Sequence, residues 1–391
     1  MNKNRKLLVV ASVIFAFQNR MKTFMPIVIS VILISLLFPL AGYSSSVKSR
    51  DKIPTFRVGY IFSDHSLLSI AAAHKAEAFK GQGPYLETVI NNEVYRLISK
   101  NGDQVANIEM IVTNSGAEAA TMLSQKQLDI SMFSVTVVMS NRDRDVPIKV
   151  LGPAHLGGNS LVFHKDTGVK DWDTFYNYIQ QSTTPVSIGY ISPTSSATII
   201  IKSALAKNGI SYTEDFENSE ADVLLVNLRS TANFMTAMSS GQVVGWIGPS
   251  PFPMVAEHQG IGNIVFESSE FPPLDYFVDF PCCCLVASEH IIENYPNEMQ
   301  IFVDLMRFTA DFLNNNRDEA ATIVSERIGV PKEAAKLSTV HYTVVPTESW
   351  MRGTEVLYNF LNGTGHFNGK MQNLDFEEVK SEIFDFRFTN H

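Results

Sequence analysis

VSIGYISPTSSATIIIKSALAKNG, residues 186–209, decides how the chain is read. Its first residues form a short apolar run of strand length. A polar turn follows, Ser192-Pro193-Thr194-Ser195-Ser196, and then apolar positions recur at helical spacing until Gly209. Hydroxyl residues cap helix starts, and glycine ends helices because it tolerates left-handed backbone. The stretch therefore reads as strand, turn and helix.

The same unit recurs on both sides. FRVGYIF (56–62) leads into HSLLSIAAAHKAEAF (65–79), and NIEMIVTN (107–114) into GAEAATMLSQKQ (116–127). LDISMFS (128–134) precedes a helix start at Val135. Further on, ADVLLVNL (221–228) precedes STANFMTAMSSGQ (230–242), and VVGWIGPS (243–250) precedes PFPMVAEHQG (251–260). IKVLGPA (148–154) and NSLVFHK (159–165) are strands joined by a Gly-rich bend. After the Pro-rich FPPLDYFVDFP (271–281) comes a last strand, CCCLVAS (282–288), and then helices at 298–316, 317–329 and 348–363. Repeated βα units predict an α/β fold of mostly parallel sheets flanked by helices, with a helical C-terminal tail. At 391 residues, 45% of them apolar, the chain has material for two lobes.

The first 44 residues differ from the rest. They hold five cations (Lys3, Arg5, Lys6, Arg20, Lys22), no acid and two apolar runs, the second covering residues 24–42. That run is close to the roughly 20 residues a membrane crossing needs. Residues 1–44 therefore read as a signal peptide or a retained N-terminal anchor, with Met21 as an alternative true start. Gly42 and Ser44 place small residues at the −3 and −1 positions of a cut before Ser45. LAGY (40–43) is close to a lipoprotein box, with Tyr43 where the lipid-bearing Cys would stand. Cations ahead of the apolar run orient the remainder outward. An exported protein is expected, in the periplasm or on the outer face of the cytoplasmic membrane.

The whole chain carries a net charge of −9, and without its first 44 residues −14. No basic stripe is present to neutralise phosphates, which excludes nucleic acid as a partner. The membrane is a partner only through the leader segment. Three adjacent cysteines provide neither a disulfide framework nor a spaced metal motif.

Candidate binding residues stand where strands end and helices begin. These are His65, Ser115 and Gly116, Ser134 and Thr136, and Ser192, Thr194, Ser195 and Ser196; Ser250 belongs to a fifth such turn. Ligands of open parallel sheets bind beyond the carboxyl ends of the strands. There the first helical turn presents unpaired N–H groups and a partial positive charge. Trp246 is an aromatic candidate to wall a planar ligand, Asp64 a candidate cap, and Arg229 a cation expected in solvent.

From Arg57 to about Ser288 the chain resembles the nitrate/sulfonate/taurine, or thiamine-pyrimidine-precursor-like, substrate-binding proteins of ABC importers. The matching stretches are VGYIFSDHSLLSIAAAHKAEAF, SGAEAATMLSQKQLDISMFS, IGYISPTSSATIIIKSALAKNGI and MTAMSSGQVVGWIGPSPFPMVAEHQGIG, in that order. Gln127 departs from the family, which commonly has Gly before the Leu-Asp pair. The resemblance implies a two-lobed type II periplasmic-binding-protein fold with two crossing hinge strands, near 151–163 and 280–286. Lobe one would comprise 53–164 plus 274–391, and lobe two 165–273. It further implies a monomeric solute-binding protein that closes on a small molecule, a small oxyanion such as sulfonate or nitrate being favoured. The captured molecule would pass to an ABC permease, with no cofactor, no catalytic residue and no metal.

Alternatives remain at this level: an enzyme on the same fold, of thiamine-pyrimidine synthase or dehydratase type, or a membrane-tethered ligand sensor. The fungal synthases of this superfamily carry H-C-C-C-F-C. Here Pro281 replaces the His, and Leu285 and Val286 follow the three cysteines. Adjacent cysteines on a regular strand point to opposite faces, so Cys282, Cys283 and Cys284 are expected as buried apolar residues at the hinge rather than as a shared metal cage.

Overall fold

The computed structural model describes residues 53–273, 276–277 and 279–389. The expected export segment and part of the Pro-rich connection lie outside the described residues. Among the described residues, no helix is long and apolar enough to cross a membrane.

The strands are β1 (Thr55–Tyr60), β2 (Tyr85–Ile90), β3 (Val94–Ile98), β4 (Gln104–Val112), β5 (Ile130–Ser134), β6 (Ile148–Pro153), β7 (His155–Leu156), β8 (Asn159–His164) and β9 (Val186–Tyr190). They continue with β10 (Tyr212–Thr213), β11 (Val223–Asn227), β12 (Gly245–Pro249), β13 (Gly262–Glu267), β14 (Cys283–Ser288) and β15 (His341–Tyr342). Seven make one sheet in the order β2-β3-β4-β1-β5-β14-β6, and six make a second in the order β10-β11-β9-β12-β8-β13. β1 runs parallel to β4 and β5, and β9 parallel to β11 and β12. Antiparallel strands complete both sheets: the β2–β3 hairpin on one edge, and β14, β8 and β13 where the chain changes sheet. This is the expected α/β architecture of two sheet-centred halves.

The chain leaves the first sheet after Pro153 and enters the second at Asn159; it leaves the second after Glu267 and returns at Cys283. β8 is thus a full member of the second sheet, although sequence reading set the boundary after residue 164. Its central residues Leu161, Val162 and Phe163 are all fully buried, so helices or core side chains cover both faces of that strand. The one-residue alternation of a half-exposed strand is missing for this reason.

Helix starts follow the hydroxyl residues. The Ser63, Ser115 and Ser195 side chains accept hydrogen bonds from the amides of His65, Glu118 and Thr198. The expected cap Asp64 instead turns away from the helix start: one carboxylate oxygen accepts from the Ser338 hydroxyl at 2.7 Å. The C-terminal helices pack on both halves. Pro296–Asn315 lies against Leu67–Lys75, while Glu348–Gly363 touches both Val135–Asp143 and Ser196–Lys207.

Candidate ligand-binding cleft

The loops beyond β1, β4, β5 and β9 meet around one cavity of about 60 Å³. The first half contributes Ser63, His65, Ser115, Gly116 and Ser134, with Ile61, Phe133 and Val137 as apolar wall. The second half contributes Ile191, Ser192, Ser195, Thr231 and Pro249, and the crossing segments supply Asn159, Cys282 and Cys283. Gly116 and Ala117 open a helix of nine residues, so their amides have no acceptor within that helix. A Cβ on Gly116 would lie 2.7 Å from Cβ of Phe133, which is why the residue type matters there.

Six of the eleven residues singled out from sequence line this cavity: His65, Ser115, Gly116, Ser134, Ser192 and Ser195. Three others hold the two halves against each other. The Thr136 hydroxyl donates to the Thr194 carbonyl at 2.6 Å and lies 3.4 Å from the Ser196 hydroxyl. The Ser196 amide donates to the Ser134 hydroxyl at 3.1 Å, so Ser134 serves both purposes. Trp246 is fully buried and stacks on Phe234, with centroids 4.4 Å apart and planes 9° apart. It belongs to the second half's own core and does not line the cavity. Ser250 is buried as well and bonds the Ser338 hydroxyl at 3.0 Å. Arg229 is exposed, as expected.

Sequence reading passed over Asn159, Thr231 and His155. Thr231 repeats the polar-residue-after-strand signal and was legible in that way. Asn159 and His155 had no local signature, because the groups they meet, the Cys282 sulfur and the His65 ring, lie far away in the sequence.

The floor of the cavity holds a buried polar cluster. His65, His155, Cys282 and Cys283 are all less than 9% exposed. Both nitrogens of the His65 ring are engaged: Nε2 lies 2.8 Å from the Gly158 carbonyl, and Nδ1 lies 3.5 Å from the Cys282 sulfur and 3.7 Å from that of Cys283. Gly158 permits this approach with φ of +82°, and a Cβ there would sit 3.0 Å from His65 Nε2. The two sulfurs are 3.8 Å apart. This overturns the expectation that adjacent cysteines face apart: Cys282 precedes the regular strand, so alternation starts only at Cys283. Cys284 does alternate, and its sulfur turns away to the Phe133 carbonyl. Burial works against charge at both His65 and Cys282. Their mutual attraction outweighs it, lifting His65 to about 9 and, with the Cys283 hydrogen bond, holding the Cys282 thiol well below its ordinary value.

Known proteins share this architecture. The ligand-binding component of an ABC-type import system from Staphylococcus aureus, with zinc bound, is 15% identical with a TM-score of 0.65, covering 86% of this chain and 98% of that one. The periplasmic nitrate-binding protein from Synechocystis PCC 6803 is 13% identical with a TM-score of 0.63, covering 86% and 87%. The alkanesulfonate-binding protein from Xanthomonas axonopodis pv. citri, bound to MOPS, is 11% identical with a TM-score of 0.57, covering 80% and 94%. In sequence, an uncharacterized protein of Methanocaldococcus jannaschii is 29% identical over 126 residues, 32% of this chain and 85% of that protein. The model of the NMT1-like family matches residues 52–329, a span that takes in both sheets and every loop lining the cavity. That match covers well over half of the sequence, and the chain belongs to the NMT1-like family.

Proposed function

We propose that this protein is an extracytoplasmic solute-binding protein that captures a small molecule between its two halves and delivers it to the membrane domains of an ABC importer, without covalent chemistry. The observation that carries the reading is the cavity itself, lined by loops of both sheets and bridged at its rim by Thr136 and Thr194. A ligand touching both halves favours the closed arrangement by its extra contacts there.

A small oxyanion fits the lining best. Ser63, Ser115, Ser134, Ser192 and Ser195 line the cavity together with the first residues of a helix, and hydroxyls and helix-start amides are groups that donate to oxyanions. No Lys or Arg among the described residues lines it, which favours a singly charged solute over a multiply charged one. The protein acts as a monomer, with its first 44 residues as signal or anchor, residues 53–153 with 283–391 forming lobe one and 159–267 forming lobe two.

The test is thermal stability of protein freed of bound solute by unfolding and refolding, measured against nitrate, alkanesulfonates, bicarbonate, pyrimidines and aromatic acids. A true ligand at a hundred times its dissociation constant stabilises by about 2.7 kcal/mol. Absence of any shift across all five classes would sink the reading.

A further inference from the structure

Beneath the cavity, four metal-ligating side chains converge from three separate segments. His65 comes from the turn after β1, His155 from β7 in the first crossing segment, and Cys282 and Cys283 from the second. One ligand atom from each lies within 4.8 Å of all the others.

The distances have a specific meaning. A tetrahedral ion with metal–sulfur bonds of about 2.3 Å and metal–nitrogen bonds of about 2.05 Å has a sulfur–sulfur edge of about 3.8 Å and sulfur–nitrogen edges of about 3.6 Å. The sulfurs here are 3.8 Å apart, and His65 Nδ1 stands 3.5 and 3.7 Å from them. Three edges of the tetrahedron are therefore already in place.

Thiol–imidazole hydrogen bonding accounts for His65 but satisfies His155 poorly. That ring is fully buried, neither nitrogen has a partner in ordinary hydrogen-bond geometry, and its polar neighbour is the Cys282 sulfur, a costly arrangement for a group with two polar atoms. The surroundings of the other ligands are those that metal sites use. Nε2 of His65 donates to the Gly158 carbonyl, so Nδ1 is the atom that faces the sulfurs, and an ion bound there would take the place of its proton. The Asn159 side-chain amide donates to the Cys282 sulfur at 3.0 Å, an outer contact suited to a ligating thiolate. Two thiolates and two neutral imidazoles also balance a divalent charge, so the filled site places no net charge in the interior.

We propose that His65, His155, Cys282 and Cys283 bind one resident thiophilic divalent cation, Zn²⁺ by preference. The donor set of two nitrogens and two sulfurs selects against magnesium and calcium, which require oxygen ligands. All four tetrahedral positions are taken by protein, so the ion is a brace and not the transported solute. It fastens both crossing segments to the loop after β1 at the floor of the cleft.

The experiment uses the full chain, reduced, stripped with a chelator and titrated with Co²⁺. One equivalent is expected to give the strong visible bands of a tetrahedral ion and thiolate-to-cobalt charge transfer, both bleached by Zn²⁺. X-ray absorption at the zinc edge should show two sulfur and two nitrogen neighbours. Cys283→Ser and His155→Gln should each lose the stoichiometric uptake while keeping the wild-type circular dichroism. Should either variant fail to fold, the absorption spectrum of the wild-type chain decides alone. Three results would overturn the proposal: no uptake by folded wild-type chain, a zinc shell without sulfur, or uptake unchanged in a folded variant. A mass deficit of two hydrogens, from a Cys282–Cys283 disulfide in chain isolated without added thiol, would overturn it equally.

Discussion

The Thr136 hydroxyl donates to the Thr194 carbonyl at 2.6 Å, joining the helix that follows β5 to the turn that follows β9. These two residues belong to different halves and are 58 positions apart in sequence. The contact is a latch on the closed form, since opening the cleft must break it. Thr136→Val removes the donor and keeps the shape. One hydrogen bond is worth about 1 kcal/mol net, so solute affinity should fall by roughly fivefold to tenfold. Calorimetric titration of wild type and variant with the identified solute measures this, and unchanged affinity would show that the latch does not report closure.

Trp246 and Phe234 form a stacked pair inside the second half, away from the cavity. Trp246→Ala should cost roughly 3–5 kcal/mol in denaturant unfolding, the usual toll for emptying a buried aromatic site. Trp246→Phe should retain solute affinity. A large affinity loss in that variant, with stability preserved, would return the ring to the binding site.

Asp143 is buried at the end of its helix, and its carboxylate accepts from the amides of Asn368, Gly369 and Met371. It thereby pins the C-terminal tail to the first half. Asp143→Ala leaves three amides without their acceptor and should destabilise by about 3 kcal/mol. Limited proteolysis should then cut first near residues 364–374; cleavage elsewhere would argue against this role.

Glu382 gives the acid limb of stability. Hydrogen bonds from Lys370 and then Arg142 hold its carboxyl at about 2, below the ordinary value of 4.5. A carboxylate depressed on folding contributes stability above pH 4.5 and loses it as pH falls from there toward 2. Because the side chain is 43% exposed, solvent screening reduces the contribution to about 1 kcal/mol. Glu382→Gln should flatten the midpoint-against-pH curve between pH 5 and about 2.5, a window read directly by thermal melts. Identical curves for the two proteins would remove Glu382 from the account.

Strands β1, β5, β9 and β12 were legible because each is an apolar run ending at a polar turn. The hairpin of β2 and β3 was not. Its outward positions carry Glu87 and Arg96, which pair with each other at 2.7 Å and interrupt any apolar run. β13 was hidden by a register irregularity between Ile264 and Phe266. At the site, serines that cap helices were visible through their position, whereas their division between lining and latch was not. Thr136 and Ser196 look like any helix-start residue until a second helix start is placed opposite them. His155 and the cysteine pair show the stronger limit. Two residues 127 positions apart meet only because both crossing segments pass the same point, and no local pattern encodes that meeting.

β14 is inserted between β5 and β6, yet it is made from residues 283–288. The second sheet draws all its strands from the unbroken stretch 159–267. Along a chain that emerges N-terminus first, the later-numbered half therefore has everything it needs to close early. The half containing residue 55 must wait, with an unfilled slot between two of its strands, until nearly three hundred residues are out. During that interval β5 and β6 present unpaired edges, and any factor that guards nascent chains has its natural target there.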